Sequence, residues 1–213
     1  MKNNSGVKTV GVVLFWAMII LAPLHVAANT ATPMQSLQQK LVALQSFTAD
    51  FEQTVVDGTG ELLQEAKGHI KLQQPQKLYW EVLPPNEGTL VADGQTLWHI
   101  DPFVEQVIAL DQGNAVQDHP IMLLAEPNSS RWDEYQVKLD QGIYYVEPVS
   151  QQQSIKQLRL TFGDQNLLQE IEFLDQQDQR NALKFNNIKQ NASIPKEIFQ
   201  FSVPEGFELD DQR

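Results

Sequence analysis

The chain alternates over Lys77 to Val82 (KLYWEV), with Leu78, Trp80 and Val82 on one parity and Lys77, Tyr79 and Glu81 on the other. A hydrophobic period of two marks a half-buried antiparallel strand. Pro84-Pro85-Asn86 breaks it. Leu90-Val91-Ala92 then runs into Asp93-Gly94, a two-residue hairpin signal, and Thr96 to Ile100 is the return strand. Asp101-Pro102 makes a bend, and Phe103 to Leu110 reads as the next strand. Upstream, Leu37, Leu41, Leu44 and Phe47 recur at helical spacing and predict a helix over Met34 to Phe47. Thr48 to Asp57 follows as a strand, Gly58-Thr59-Gly60 as a turn, and Leu62, Ala66, Ile70 and Leu72 share one parity of the strand after it.

Downstream, Pro120 to Ala125 (PIMLLA) predicts a short apolar helix with proline in its first turn. Four strands come next: Trp132 to Leu139, Ile143 to Val149, Ile155 to Phe162 and Leu167 to Leu174. Ala182 to Ile188 and Phe199 to Val203 close the series. Such a run of short strands with regular turn signals predicts a mainly β fold with short helices (α+β), in which about eleven strands form a strongly curled antiparallel sheet. Two short helices cannot cover both faces of that sheet, so both are expected on its concave side. The inward apolar face comprises Leu78, Trp80, Val82, Leu158, Leu160, Phe162, Ile171, Phe173, Leu183, Phe185, Phe199 and Phe201. Pattern alone leaves open whether this face surrounds a filled core or a ligand cavity.

The first residues are not expected to belong to this fold. Met1 to Ala28 has a weakly basic start, an apolar run from Val10 to Leu24, and closes on Val26-Ala27-Ala28. That is the pattern of a secretory signal peptide cleaved after Ala28. The run of about 15 residues is short for a membrane span of roughly 20. The remainder, Asn29 to Arg213, is long enough for one domain. The formal net charge of the whole chain is −12. Removal of Met1–Ala28 takes away Lys2 and Lys8 and no acid, leaving 13 basic against 27 acidic residues, or −14. A nucleic-acid partner needs a basic stripe, and an anionic lipid surface needs basic residues too, so neither is expected. The acidity keeps an exported protein soluble and monomeric, or steers it towards a basic patch on a partner. The sequence contains no cysteine, so disulfides, thiol chemistry and a lipid-attachment cysteine are excluded.

Candidate chemistry is sparse. His69, His99 and His119 form no metal-ligand spacing, and there is no G-x-S-x-G elbow. Gly58-Thr59-Gly60 lacks the third glycine of a dinucleotide loop. No pair of acids stands out as a hydrolytic couple. The chain is therefore expected not to be an enzyme and to need no cofactor and no metal. The frequent glutamines, as in Gln151-Gln152-Gln153 and Gln176-Gln177, suit solvated loops.

A set of short pieces recurs in a fixed order: Phe47 and Phe51-x-Gln53, Asp57-Gly58-x-Gly60, Gly68, Pro75, Trp80, Val91-x-Asp93-Gly94-x-Thr96-Leu97-Trp98, Pro102-Phe103-Val104-Glu105-Gln106, Pro120-x-Met122-Leu123 and Asp210-Asp211-Gln212-Arg213. Together they resemble the LolA family of periplasmic outer-membrane lipoprotein carriers. The resemblance implies an incomplete antiparallel β-barrel with a helical lid, whose apolar interior takes the acyl chains of lipoproteins. It implies cargo accepted from an inner-membrane ABC-type exporter and handed to an outer-membrane lipoprotein receptor, in the periplasm of a Gram-negative bacterium. On this basis the acyl-chain lining is expected at Leu78, Trp80, Val82, Leu158, Phe173 and Phe201, and the lid at Leu41 and Leu44 with Ile121, Met122, Leu123 and Leu124. Two residues depart from the family's pattern. Gln74 stands where the family usually has the arginine thought to pin the lid and govern release, with Lys71 or Lys77 as the nearby cations to replace it. Leu78 stands where the family often has an aromatic at the cavity mouth. Gln74 keeps an alternative open: a specialised paralogue carrying another amphiphile, such as a glycolipid or a lipid-linked pigment.

Overall fold

The computed structural model describes residues 31–115, 119–150 and 153–213, together with Met1. Apart from Met1, the expected signal segment 1–28 lies outside the described residues. Twelve strands form one sheet in the order β12-β6-β5-β4-β3-β2-β1-β11-β10-β9-β8-β7. Their ranges are β1 Ser46–Val56, β2 Leu62–Gln73, β3 Lys77–Val82, β4 Gly88–Ala92, β5 Thr96–Asp101 and β6 Gln106–Asp111, then β7 Tyr135–Asp140, β8 Ile143–Pro148, β9 Ile155–Phe162, β10 Leu168–Asp175, β11 Arg180–Gln190 and β12 Glu208–Asp211. All neighbours are antiparallel except β12, which runs parallel to β6. The sheet is curled: one apolar cluster joins Leu97 of β5 to Tyr144 of β8, strands far apart in the sheet order. β7 and β12 remain as its two edges, so the barrel is incomplete, as expected.

The helix α1 spans Pro33–Ala43. Thr32 and Gln35 form a capping box at its start, and Pro33 supplies a preset φ in its first turn. It stops four residues before Phe47, the residue at which the pattern placed its end. Phe47 satisfies two periods at once: it continues the helical spacing of Leu41 and Leu44, and it opens the alternation Phe47, Ala49, Phe51. The sheet takes it, and those three side chains face the core of β1. The chain end of the helix is closed by side-chain amides instead. Asn191 donates to the Ala43 carbonyl at 3.0 Å and accepts from the Gln45 amide at 2.8 Å.

Three further expectations are corrected. Phe103-Val104 is not strand but the turn between β5 and β6, because Asp101 accepts hydrogen bonds from the Phe103 and Val104 amides at 2.9 and 3.3 Å. Trp132 lies in a short 3₁₀ turn, Ser130–Glu134, and β7 begins only at Tyr135. Phe199 to Val203 is not a sheet strand. Phe199 ends the 3₁₀ turn Lys196–Phe199, and Phe201 packs on Trp98 with ring centroids 5.2 Å apart, on the outer face of the sheet. There a second, smaller cluster forms around Val91, Ile100 and Val107. The C-terminal segment covers that face, and Arg213 lies over the Trp98 ring at 5.3 Å. Ten of the twelve residues expected to face inward do so; Phe199 and Phe201 are the exceptions.

Gly68 in β2 shows how tightly the inner face is packed. A Cβ there would sit 2.0 Å from the Glu81 carbonyl and 2.4 Å from the Phe51 ring. The glycine thus admits Phe51, whose ring stacks on Trp80 at 4.9 Å. We predict that Gly68→Ala destabilises the fold by about 1–3 kcal/mol through overpacking. Thermal unfolding followed by circular dichroism should show a midpoint lower by about 2–4 °C per kcal/mol.

Asp93 organises the β4–β5 turn. Its carboxylate accepts from the Gln95 and Thr96 amides at 2.8 and 2.9 Å and from the Trp98 indole at 3.0 Å. Partial burial pushes its pKa up, but these donors and the nearby Arg213 more than offset burial and hold it below the usual aspartate value. A depressed carboxylate stabilises the fold fully above its unfolded pKa, about 3.9, and loses that contribution as pH falls through the folded value. Denaturant melts at pH 5, 4, 3 and 2 should therefore show a steeper acid-side loss for the wild type than for Asp93→Asn.

Candidate functional site

Because successive strands reverse direction, the hairpin ends fall into two groups. The β1–β2, β3–β4, β5–β6, β8–β9 and β10–β11 connections lie at one end of the curled sheet; β2–β3, β4–β5, β7–β8 and β9–β10 lie at the other. α1 spans the second end. Ser36 bonds the Tyr144 hydroxyl at 2.8 Å at the start of β8, Lys40 reaches Asn166 in the β9–β10 turn, and the chain enters β1 directly after the helix. The first end is open. It holds a cavity of about 580 Å³.

The cavity floor is apolar: Trp80 and Val82 of β3, Leu90 of β4, Ile155 of β9, Phe173 of β10, and Pro120 with Ile121. Its rim carries uncharged amides, among them Gln53, Gln64, Gln177, Gln179 and Asn181. Among the described residues the lining includes His119, no lysine or arginine, and one carboxylate, Asp175. That carboxylate accepts from the Gln177 and Gln179 amides, both at 2.8 Å, within its own turn. An apolar floor under a rim made mostly of uncharged amides suits the apolar part of an amphiphile.

One wall of the cavity is removable in principle. Pro120–Ala125 is a single 3₁₀ turn whose six residues are all buried among the inner-face residues. Its first residues, Pro120 and Ile121, touch the cavity, while its last is held from the opposite end of the barrel. The Gln76 amide donates to the Ala125 carbonyl at 3.2 Å, and the Trp132 indole donates to the Glu126 carbonyl at 3.0 Å. The same β2–β3 turn grips α1. The Gln74 side-chain amide donates to the Leu41 and Leu44 carbonyls at the helix end, at 2.7 and 2.8 Å; the Leu41 carbonyl also accepts from the Leu44 amide at 2.9 Å. Gln76 adopts φ 63°, a left-handed conformation uncommon for a non-glycine residue. Gln112, 2% exposed, holds it there: its side chain donates to the Gln76 carbonyl at 2.7 Å and accepts from the Gly94 amide at 2.9 Å. Three residues, Gln74 to Gln76, thus clasp both segments that close the apolar interior.

Comparison with known proteins agrees with this architecture. Residues 43–202 match the family model described as outer membrane lipoprotein carrier protein LolA. The chain belongs to the LolA family. The outer-membrane lipoprotein carrier protein of Idiomarina loihiensis is 37% identical over 198 residues, covering 92% of this chain and 97% of that protein. Those of Aeromonas salmonicida and Salmonella paratyphi A are 34% and 32% identical, covering 94% and 92% of this chain and 98% and 97% of theirs. A LolA superfamily protein of Nitrosomonas europaea, of solved structure, is 13% identical over 80% of this chain and 99% of its own, with a TM-score of 0.44.

Among the residues expected to line the LolA-type interior, Trp80, Val82 and Phe173 stand on the cavity wall. Leu158 and Leu78 lie deeper, both fully buried in the inner core. Leu78 is not at the mouth: it is paired with Leu72 and Ala92 at the α1 end of β3, and it is Val82, at the other end of that strand, that borders the cavity. Phe201 is on the outer face and is excluded from the interior by the whole thickness of the sheet. Of the residues expected to form a lid, Ile121 faces the cavity, while Leu41, Leu44, Met122, Leu123 and Leu124 are buried against the inner sheet. Lys71 and Lys77 do not replace the family's arginine; their ammonium groups lie over the Tyr79 and Phe199 rings, at 5.0 and 5.9 Å. Gln74 makes the contacts itself. Gln112 and Gln76 escaped the sequence reading, since a glutamine bonded to a distant segment carries no pattern that separates it from a solvated one. Gln153, expected in a solvated run, is buried too and donates to Glu134 at 3.1 Å.

Gln74→Leu keeps the side-chain bulk and removes both latch bonds, a net loss of about 1–3 kcal/mol. Hydrogen–deuterium exchange should then speed up at the α1 C-terminus and at 120–125 by roughly 5- to 150-fold, with β9 unchanged. Gln74→Arg should keep the protection. Unaltered exchange in the leucine variant would show that the latch contributes nothing.

Proposed function

We propose that this protein is a soluble, monomeric periplasmic carrier that shields the acyl chains of lipoproteins between the two membranes of a Gram-negative cell. It accepts them from an inner-membrane ABC-type exporter and passes them to an outer-membrane lipoprotein receptor, and it catalyses no reaction. Membership of the LolA family supports this reading, as does the export signal expected at 1–28. The observation that carries it is the cavity with an apolar floor and an amide rim, closed on one side by the buried Pro120–Ala125 segment. Lipoprotein acyl groups are joined through uncharged ester and amide links. A rim of Gln and Asn matches such links better than a charged rim would.

The energies support reversible loading. Unseating Ile121, Met122, Leu123 and Leu124 exposes four apolar side chains at about 1.5–3 kcal/mol each, roughly 6–12 kcal/mol in all. Burying one acyl chain of about 13 methylenes at ~0.8 kcal/mol each returns roughly 10 kcal/mol. The two terms are of equal size, so cargo displaces the plug and the plug helps to expel cargo. A deep pocket with no plug would hold several chains too tightly to deliver them. Gln74 no longer favours a paralogue for some other amphiphile, because it bonds both α1 carbonyls without a charge.

Purified protein added to spheroplasts should release a triacylated lipoprotein into solution as a stoichiometric complex. Val82→Glu, which places a charge on the cavity wall, should cut that release at least tenfold while the fold stays intact by circular dichroism. A folded wild-type protein that releases no lipoprotein would overturn the reading.

A further inference from the structure

The β5–β6 turn presents Phe103 at 93% and Val104 at 58% exposure. A lone exposed aromatic is ordinary, but this one is held in place. Asp101 caps the turn through the Phe103 and Val104 amides, and the Glu208 amide donates to the Glu105 carbonyl at 2.8 Å, tying the turn to the start of β12. An apolar side chain on a fixed backbone loses little freedom on binding. At its foot lies a second hollow of about 520 Å³, formed by Pro85, Asn86 and Glu87 of the β3–β4 turn with Asp101, Pro102 and Phe103. Asn86 also borders the main cavity, so hollow and cavity adjoin.

The surroundings are acidic. Glu87, Asp101, Glu105, Glu205 and Glu208 occur on these segments, and residues 83–106 and 197–212 contain no lysine or arginine. No ion pair among the described residues involves any of the five. An anionic membrane surface would be repelled here. A protein with an apolar pocket bordered by lysine or arginine would be attracted, its on-rate raised by the charge.

Resting on the carrier reading above, we propose that Phe103 and Val104 form a docking knob for the protein that supplies the cargo, inserted into an apolar, basic-rimmed pocket of that partner. The knob is presented while Pro120–Ala125 is seated, and the supplier is the partner that must meet the protein in this closed form. Docking there sets the supplier beside the cavity mouth.

The test measures lipoprotein release from spheroplasts against concentration of added protein, at 50 and 300 mM NaCl, for wild type, Phe103→Ser and the pair Glu87→Gln with Glu105→Gln. Phe103→Ser should need at least tenfold more protein for half-maximal release. The charge-neutral pair should weaken release at low salt and flatten its salt dependence. Binding of a dye-labelled triacylated lipopeptide, measured separately, should be the same for all three. Equal lipopeptide binding with equal release by wild type and Phe103→Ser overturns the knob and leaves the carrier reading standing. Failure of the wild type to bind the lipopeptide overturns the carrier reading and the knob with it. Co-sedimentation of wild type, but not Phe103→Ser, with phosphatidylethanolamine–phosphatidylglycerol vesicles would overturn the protein partner in favour of a lipid surface.

Discussion

The β2–β3 turn bonds both segments that cover the interior. Gln74 holds the carbonyl end of α1 through its side chain, and the Gln76 amide holds the end of the buried Pro120–Ala125 turn. A curled sheet with one apolar face has more inner surface than two short segments can cover, so their placement cannot be left to packing alone. Directional bonds fix it. All of them are bonds between uncharged groups, worth about 1 kcal/mol each in net terms. A few such bonds keep the plug in register, yet stay well below the roughly 10 kcal/mol that one buried acyl chain supplies.

The two ends of the barrel are therefore built differently. At the α1 end, polar side chains satisfy helix carbonyls and the fold is sealed. At the other end, amides rim an apolar floor and hairpin tips project. The reversal of each successive strand produces this separation without further instruction, because every second connection must fall at the same end. The open cavity and the bonds that hold α1 and the end of Pro120–Ala125 are kept apart by topology. Pro120–Ala125 runs between them, bonded at Ala125 and touching the cavity at Ile121.

Most of the sheet was legible in the sequence because its strands alternate. β3 and β9 occupy the residues their period marked, and the β4–β5 hairpin forms at the Asp93-Gly94 signal, although its turn is centred on Gly94 and Gln95 and closed by the Asp93 amide donating to the Thr96 carbonyl. The misreadings share a cause: local pattern does not reveal which face a neighbour will cover. Phe47 fits a helix and a strand equally until Asn191 and Gln74 close the helix before it. Phe201 looks like an inner-face residue until the last segment is seen to lie along the outer face of β4–β6. The pairing of β12 with β6 depends on four residues, too few to carry a period. Of the site, the wall residues Trp80, Val82 and Phe173 were legible as apolar strand positions. The amides Gln76 and Gln112 were not, since their role comes from a contact between distant segments.

Gln74 shows why a residue's chemistry should be judged by the bonds a site requires. The α1 end presents two carbonyl oxygens 2.7 and 2.8 Å from one nitrogen. A primary amide has two N–H groups on that nitrogen, and both are used. An arginine fork meets the same requirement with a charge added, so bonds made by arginine are stronger by roughly a factor of two. A glutamine latch is therefore weaker than an arginine making the same two bonds would be. If opening is set by the latch and by burial of Ile121 to Leu124 together, the glutamine form opens more readily for a given cargo and retains that cargo longer. Efficient delivery then requires compensation elsewhere in the clasp, and the buried bridge from Gln112 to Gln76 and Gly94 is the part of it best placed to supply that.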